Sequence, residues 1–562
     1  MPTSEIKPVL IVGAGPTGMT AATELARFGV PVRLVEKKTK PETTSRAIGV
    51  QARTLELFEQ RGLADEMVSM GNKGLAASVY GGGKRVFQLE FSHVDSRYDY
   101  ILFISQAETE RVLRERLGQQ GVAIDWGVEM IAFAQGESHD RPGQAGGVTA
   151  TLRRPDGSLE ALGASYLVSA EGAHSTARST LGLEFKGKSL AEDYALGDFY
   201  LDGDLSDDNL HVFSSEHGFM GLFPMGNHHF RMIASNPLSK PSKDTAPSLE
   251  ELQKMYDMRS TIPVRLRDLS WSSWFRINSR MIERLRVGHV FLGGDSAHIH
   301  SPAGAQGMNT GIQDMINLAW KLAFVLHGKA SSTLLDTYGE DRLPAIRDVL
   351  TKTEGLTGAI GSENMVFRSI FNHVASLVVG TEFLQEKSTT RMSQVALNYR
   401  GSPLSETHEH HGDLRAGDRL PDVLLRVMNK PGSSETDGPR EMRLFCLLDP
   451  TKFTLLYVND DNSVESQSEF QSSLGPWLEF VSLHQIAPPE ADAAAGKHFT
   501  DRFGSSPVLI LVRPDSYLGL TCGAGEITKV VAYLRKWFPQ EKEPAAGDHG
   551  LIGHPGDYDA KS

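Results

Sequence analysis

Only two cysteines, Cys446 and Cys522, occur in 562 residues. They are too few and too far apart for a disulfide framework or a metal-ligand spacing, so no metal site is expected. Reduced, buried thiols are the expected state, as in a cytoplasmic protein. Basic residues are also scarce: 57 Lys and Arg stand against 70 Asp and Glu, for a formal net charge of −13. That balance argues against nucleic acid or an anionic membrane as the main partner. No apolar run approaches the ~20 residues that span a bilayer. The N-terminus enters an apolar segment within a few residues, without the basic-apolar pattern of a signal peptide. Internal repeats, a nucleophile elbow and an obvious catalytic triad are all missing. The remaining composition, 40% apolar and 23% charged, is that of an ordinary globular protein. The length predicts two or three domains.

What the chain does have is glycine in two telling places, residues 9–38 and residues 290–323. In the first, Val9 to Val12 form an apolar run of the kind found in a buried parallel strand. Gly13 permits a tight turn, Gly15 lets the backbone approach a pyrophosphate, and Gly18 lets the next helix pack closely on the strand. That helix, over about residues 16–28, aims its N-terminal N–H groups at the phosphates. A second strand, Val32 to Val35, ends at Glu36, whose carboxylate lies about 20 residues beyond the glycines and suits ribose hydroxyls. The second segment, VFLGGDSAHIHSPAGAQGMNTGIQDMINLAWKLA, looks built to hold the other end of the same long cofactor. A cofactor gripped by both segments is buried through a domain, which points to a flavin rather than a visiting nicotinamide. No second G-x-G-x-x-G is present.

Between and beyond these segments the pattern changes. Residues 105–118 predict an amphipathic helix, and residues 148–170 predict strands around the turn Pro155-Asp156-Gly157. Residues 185–290 are rich in aromatic and β-branched residues and read as the sheet of a substrate domain. Residues 305–400 read as mostly helical. A polar stretch leads into βα alternation over 418–540, and a Gly/Pro/Asp-rich tail from about 541 is expected to be disordered.

Four blocks in order carry a family resemblance: GAGPTG with Glu36, SRAIGVQARTLELFEQRGL at 45–63, SAEGAHSTARSTLG at 169–182, and GDSAHIHSPAGAQGMNTGIQDMINLAWKL at 294–322. The chain resembles the class A flavoprotein aromatic hydroxylases, single-component FAD monooxygenases. It is most similar to the phenol hydroxylase branch, which has a thioredoxin-like C-terminal domain. The likeness covers residues 8–345 well and the C-terminal region loosely. It implies an α/β fold: a Rossmann-like FAD-binding domain (1–184 and 286–345), an inserted sheet-rich substrate domain (185–285), a helical segment and linker (346–414), a thioredoxin-like domain (415–540) and a disordered tail (541–562).

The resemblance also implies roles. Cofactor contacts fall on Gly13, Gly15, Gly18, Glu36, Lys37, Arg46, Gln106, Met130, Gly294, Asp295, Gly307, Met308 and Asn309. Asp295 would accept from a ribityl hydroxyl, with Gly294 keeping the backbone close. Gly307, Met308 and Asn309 would begin a helix whose free N–H groups stabilise the anionic reduced flavin. Pro302 and Gly304 would line the pocket where oxygen reacts. Each of these residues also has a plain reading as a cap, a turn or a surface charge. NAD(P)H would reduce FAD transiently, and O2 would then give a C4a-hydroperoxide that hydroxylates a small phenolic or related aromatic substrate. The alternatives are a polycyclic polyketide or antibiotic substrate, or oxygen insertion of the Baeyer–Villiger kind. The cofactor carries the hard chemistry, and the protein supplies orientation, a dry pocket and electrostatics.

Two departures stand out. Glu171-Gly172 replaces the usual Asp-Gly. Phe275 and Ile48 occupy places where the branch often has a tyrosine and an aspartate, so the usual acid–base pair is missing. Phe223, Phe275 and Arg231 are the candidate substrate residues, Arg231 also as a catalytic group; His211, His228 and His229 are further candidates. His298 and His300 belong to the motif and are expected to hold its loop. The C-terminal region lacks Cys-x-x-Cys, so packing or a homodimer contact is its expected role. Its VRPDSYLGL segment resembles the Arg-Pro-Asp-Gly-Tyr turn of the branch, with Ser516 in the glycine position.

Overall fold

The structure is a computed structural model that describes residues 6–43, 47–136, 146–235, 245–301, 304–360, 382–409, 412–428, 440–460 and 464–540. Arg46, Pro302, the tail from 541 and part of the 346–414 segment lie outside the described residues. The fold is mixed α/β. Its first layer is a six-stranded sheet in the order Arg286–Val287, Val290–Leu292, Tyr166–Ser169, Val9–Val12, Val32–Glu36, Ile124–Trp126. All pairings are parallel except the edge hairpin of Arg286–Val287 with Val290–Leu292. Val9 to Leu10 to Ile11 have no exposed surface, as expected of a central strand covered on both faces.

Helix Pro16–Arg27 follows the first strand. Pro16 opens it, where a missing N–H costs nothing, and Gly15 precedes it in an extended conformation. Helix Gly307–Leu326 packs against it. A Cβ added at Gly311 would come within 2.5 Å of Thr17 Oγ1, so glycine is what lets the two helices approach so closely.

A second, eight-stranded sheet runs His298–Ile299, Val264–Met281, Lys186–Gly203, His229–Ser235, Gly218–Pro224, Asn209–Ser215, Ala76–Gly81, Lys84–Glu90. Its last two strands come from within the stretch 1–184, and its first from the second glycine segment, so the sheet reaches beyond 185–285 at both edges. Leu252 of helix Leu249–Asp257 packs on one face, beside Phe199, Phe213 and Met232. The opposite face carries Tyr194, Leu196, Phe223 and Ile233, which join the core of the first layer.

A seven-stranded C-terminal sheet runs Glu406–Thr407, Leu518–Gly523, Val508–Val512, Phe453–Val458, Val481–Ala487, Leu424–Val427, Arg440–Arg443. Helix Gly307–Leu326 bridges to it. Trp320 and Phe324 in its last two turns meet Phe453 edge-on, and Phe324 also meets Phe480 and Phe538. One helix thus begins at the second glycine segment and ends in the C-terminal core. Among the described residues, no helix is long and apolar enough to cross a membrane.

Candidate FAD and substrate site

The three glycines of the first loop do different things. Gly13 has φ +103°, and an added Cβ would lie 2.3 Å from the Ala170 carbonyl oxygen. At Gly18 an added Cβ would lie 1.8 Å from the Gly13 carbonyl oxygen. Both positions need glycine for the packing of strand, loop and helix. Around Gly15 there is nothing within 4 Å of an added Cβ. Glycine there is not a packing requirement, and the open space is what a phosphate approaching the backbone would use.

Beside this loop lies a shallow recess of about 40 Å³ lined by Gly13, Glu36, Lys37, Met130, Glu171 and His174, among others. Four predicted cofactor residues therefore share one surface. Glu36 is half-buried. Its carboxylate accepts from the Ala14 N–H at 2.8 Å and the Lys38 N–H at 3.0 Å, which orients it at the strand end. Glu171 is already engaged: it accepts from Ser169 and Ser175 hydroxyls, both at 2.8 Å, and from the Thr176 and Ala177 N–H groups. Its extra methylene, relative to aspartate, is spent on capping its own short helix. Arg178 donates to the carbonyls of Ser296 and Ala173, tying this block to the second glycine segment.

The second segment closes onto the first at Thr17. An added Cβ at Gly294 would meet Thr17 Oγ1 at 2.5 Å, as at Gly311. Asp295 is exposed in the short turn Gly294–Ser296. Gly304 lies in the turn before the long helix. Gln306 precedes the helix and supplies no side-chain cap, so the N–H groups of Gly307, Met308 and Asn309 have no intrahelical acceptor. The Asn309 side chain is already engaged. It accepts from the Gln51 N–H at 2.9 Å and donates to the Gly49 and Ala305 carbonyls. Gln106 starts helix Gln106–Gln119, where its N–H donates to the Ala47 carbonyl and its amide to Glu110.

Sequence reasoning missed Gln51 and Asp314. Gln51 is fully buried. Its amide donates to the Gly304 carbonyl at 2.8 Å, while its Oε1 has no partner. Asp314 is a hub: it accepts from the Gly294 N–H at 3.0 Å, His298 Nε2 at 2.6 Å and Arg342 Nε at 2.7 Å. Burial alone would raise its pKa, but His298 and Arg342 hold it well below the usual carboxylate range. The helical spacing from Asn309 to Asp314 was visible in the sequence; the partners were not.

The candidate substrate residues fall in one row. Phe223 pairs with Arg231, Arg231 with Asp198, and Asp198 with Trp271 across adjacent strands. Directly opposed residues share a sheet face. Tyr194 and Phe275 pair four residues further along the same strands, with ring centroids 5.8 Å apart. This is the face turned toward the first layer. Arg231 is not free on it: Nε and Nη2 each donate to Asp198 at 2.6 Å, and the guanidinium sits 5.6 Å from the Trp271 ring. His211 lies in the row of Leu222 and Met232, on the opposite face, bonded to Tyr80 and the Ser206 carbonyl. Burial pushes its pKa down. His228 is exposed in a turn, and His229 stacks on Tyr200.

A family model described as "FAD binding domain" matches residues 7–353. The chain belongs to that family. It is 34% identical over 555 residues to the 6-methylpretetramide 4-monooxygenase of Streptomyces rimosus, covering 96% of this chain and 95% of that protein. It is 32% identical over 475 residues to the pentachlorophenol 4-monooxygenase of Sphingobium chlorophenolicum, covering 82% and 81%. Among solved structures, the OxyS anhydrotetracycline hydroxylase from Streptomyces rimosus superposes with a TM-score of 0.74 at 27% identity, over 95% of this chain and 100% of that one. The protein is an FAD-dependent aromatic monooxygenase, with NAD(P)H and O2 as co-substrates. The donor set fits the flavin dinucleotide: open space over Gly15, a recess beside Glu36, a buried acceptor on Gln51 and an uncapped helix N-terminus.

Proposed function

We propose that FAD lies across Thr17, with its pyrophosphate over Gly15 and the start of helix Pro16–Arg27. Its adenosine end occupies the recess of Glu36, Lys37 and Met130, and its ring end meets the N-terminus of helix Gly307–Leu326. The contact of Thr17 with both Gly294 and Gly311 carries this reading, because it makes one cradle of two distant segments. Asp295 takes a ribityl hydroxyl from its place in the exposed turn Gly294–Ser296. When bound, FAD supplies hydride acceptance and the activation of oxygen. The chain's own residues bind it, orient the substrate and exclude water.

The substrate is a phenolic or related aromatic ring held on the sheet face of Phe223, Trp271 and Phe275. A polycyclic aromatic is a second reading, favoured by the length of that aromatic row over several strands. The 415–540 region is thioredoxin-like: Phe453–Val458 and Val481–Ala487 are parallel, joined through a helix, and Val508–Val512 with Leu518–Gly523 form the antiparallel hairpin expected next. It acts by packing, within a cytoplasmic protein able to dimerise. Purified protein should be yellow and should release FAD on acid treatment. Asp295→Ala should weaken FAD binding about tenfold or more, from loss of one charge-assisted hydrogen bond of ~1.5–3 kcal/mol. Parent-like FAD affinity in that variant would remove Asp295 from the site. Substrate-stimulated NAD(P)H oxidation with phenols and polyhydroxylated rings, read with product mass, tests the activity.

A further inference from the structure

The second glycine segment holds a chain of buried polar groups that ends in an unpartnered atom. His300 Nε2 lies 2.8 Å from His298 Nδ1, and His298 Nε2 lies 2.6 Å from Asp314 Oδ2. With His298 neutral, the carboxylate end of the chain sets the order of the protons. The Asp314 carboxylate only accepts, so His298 carries its proton on Nε2. In the neutral ring, His298 Nδ1 is then a lone pair, and it accepts from His300 Nε2–H. That leaves a bare lone pair at His300 Nδ1. This atom is buried and has no hydrogen-bond partner. An unmet buried polar atom is destabilising, and a group kept in that state calls for a reason.

The location supplies one. His298 and Ile299 form the edge strand of the substrate sheet, paired with Met281 and Arg280. The His300 ring packs against Gly307, whose added Cβ would lie 3.8 Å from His300 Cδ2. The ring therefore sits where the substrate sheet meets the helix start assigned to the flavin. The charged and titratable groups around it are His298 on its own strand, Asp314 on the long helix and Arg342 on the next helix. Burial first, then His298 and Arg342, push the His300 pKa well below the usual histidine value, so the ring is neutral at rest.

We propose that His300, His298 and Asp314 form a proton relay for the substrate hydroxyl, filling the place left by the missing acid–base pair at Phe275 and Ile48. The substrate O–H bond breaks as an N–H bond forms at His300 Nδ1. The Nε2–H proton of His300 passes to His298 Nδ1, and the resulting His298 imidazolium is held by the Asp314 carboxylate. No oxidant or reductant is consumed, and the proton returns by the same route. The ionised ring is more electron-rich and so a better target for electrophilic hydroxylation. This inference rests on the hydroxylase reading above and names the groups that ionise its substrate.

The test uses FAD-loaded enzyme and three phenols of graded acidity: resorcinol, phenol and 4-nitrophenol. The parent should keep substrate-stimulated NAD(P)H oxidation and coupling at pH 7, well below the ~10 at which a simple phenolic hydroxyl ionises. His300→Gln should lose about a hundredfold at pH 7, with the deficit narrowing toward pH 9.5 and smallest for 4-nitrophenol. His298→Gln cuts the chain at its middle and should give the same pattern, so one poorly folded variant does not decide the matter. A merely structural role would lower activity by the same factor at every pH and for every phenol. That uniform loss in a variant retaining FAD would overturn the relay, as would a parent whose coupling falls away as each phenol protonates. A parent that binds FAD but oxidises no NAD(P)H with any aromatic compound would instead count against the hydroxylase reading itself.

Discussion

Asn317 Nδ2, in the middle of helix Gly307–Leu326, donates to Asp515 Oδ2, in the hairpin of the C-terminal sheet, at 3.0 Å. The bond belongs to a buried network. Asp341 accepts from Lys321 and Arg513, each at 2.7 Å, and Arg513 also pairs with Asp515. Arg53, from helix Ala52–Glu59, donates to the Asp515 carbonyl. The Arg-Pro-Asp turn is thus wired to the helix whose start is proposed to meet the flavin. Removing one partner of such a cluster strands the others.

Asp515→Ala should therefore lose about 3–5 kcal/mol of stability, and FAD should be released at lower urea than in the parent. Asp515→Asn keeps an acceptor for Asn317 and should lose less. Urea unfolding followed by flavin fluorescence measures both. An Asp515→Ala protein with the parent's midpoint and FAD retention would mean that this turn does not brace the long helix.

The glycine loop gives a paired test. Gly18→Ala places a methyl against the Gly13 carbonyl, which is backbone and cannot step aside, so the variant should fold poorly with or without FAD. Gly15→Ala meets nothing within 4 Å, and Gly15 already has an ordinary φ of −78°. The apo protein should melt within about 0.5 kcal/mol of the parent, the range of innocuous substitutions, while FAD affinity falls. Comparing apo melting temperature with FAD dissociation constant separates the two. Equal behaviour of the two variants would contradict the division of roles.

Much of the scaffold of the candidate site was legible in the chain because each signal was local. The strand Val9–Val12, the glycine turn, Pro16 as a helix start and Glu36 at a strand end all follow from neighbouring residues. The recess then brought Glu36, Lys37 and Met130 together, although Met130 stands on a different strand. What stayed hidden was pairing across distance. Nothing near Arg231 announces that Asp198, 33 residues earlier, neutralises it; nothing near Ala76–Gly81 says that this hairpin extends the later sheet. Glu171 likewise read as a lengthened aspartate, whereas the structure has it capping the helix that follows. Nothing local singles out Asp314 among the polar residues of its helix, and only the fold reveals the three donors that meet it.

Acid should act through the buried carboxylates. Burial alone would raise the pKa values of Asp314 and Asp341, but His298 and Arg342 around the first, and Arg513 and Lys321 around the second, hold both well below the ordinary value. A folded-state pKa below the unfolded one gives stability that is fully present above the unfolded value of ~3.9. That stability is lost as pH falls toward the folded value. The parent's urea midpoint should drop steeply from about pH 5 to pH 3. An Asp314→Asn, Asp341→Asn double variant should begin lower at pH 7 and fall less steeply. Parallel pH profiles for the two proteins would assign the acid sensitivity elsewhere.

Arg231 separates a sheet ion pair from a substrate contact. Its guanidinium is buried and bidentate on Asp198, with Phe223 on one side of the row and Trp271 on the other. Arg231→Ala leaves the Asp198 carboxylate without its counter-charge, so a loss of about 3–5 kcal/mol is expected. Arg231→Met with Asp198→Leu removes both charges and fills the space with apolar atoms, and should recover most of that stability. If Arg231 serves only the sheet, the double variant regains parent-like substrate affinity and coupling along with its melting temperature. If Arg231 also touches the substrate, stability returns while the KM for the aromatic substrate stays raised. Measuring melting temperature and KM on the same two proteins decides between these outcomes.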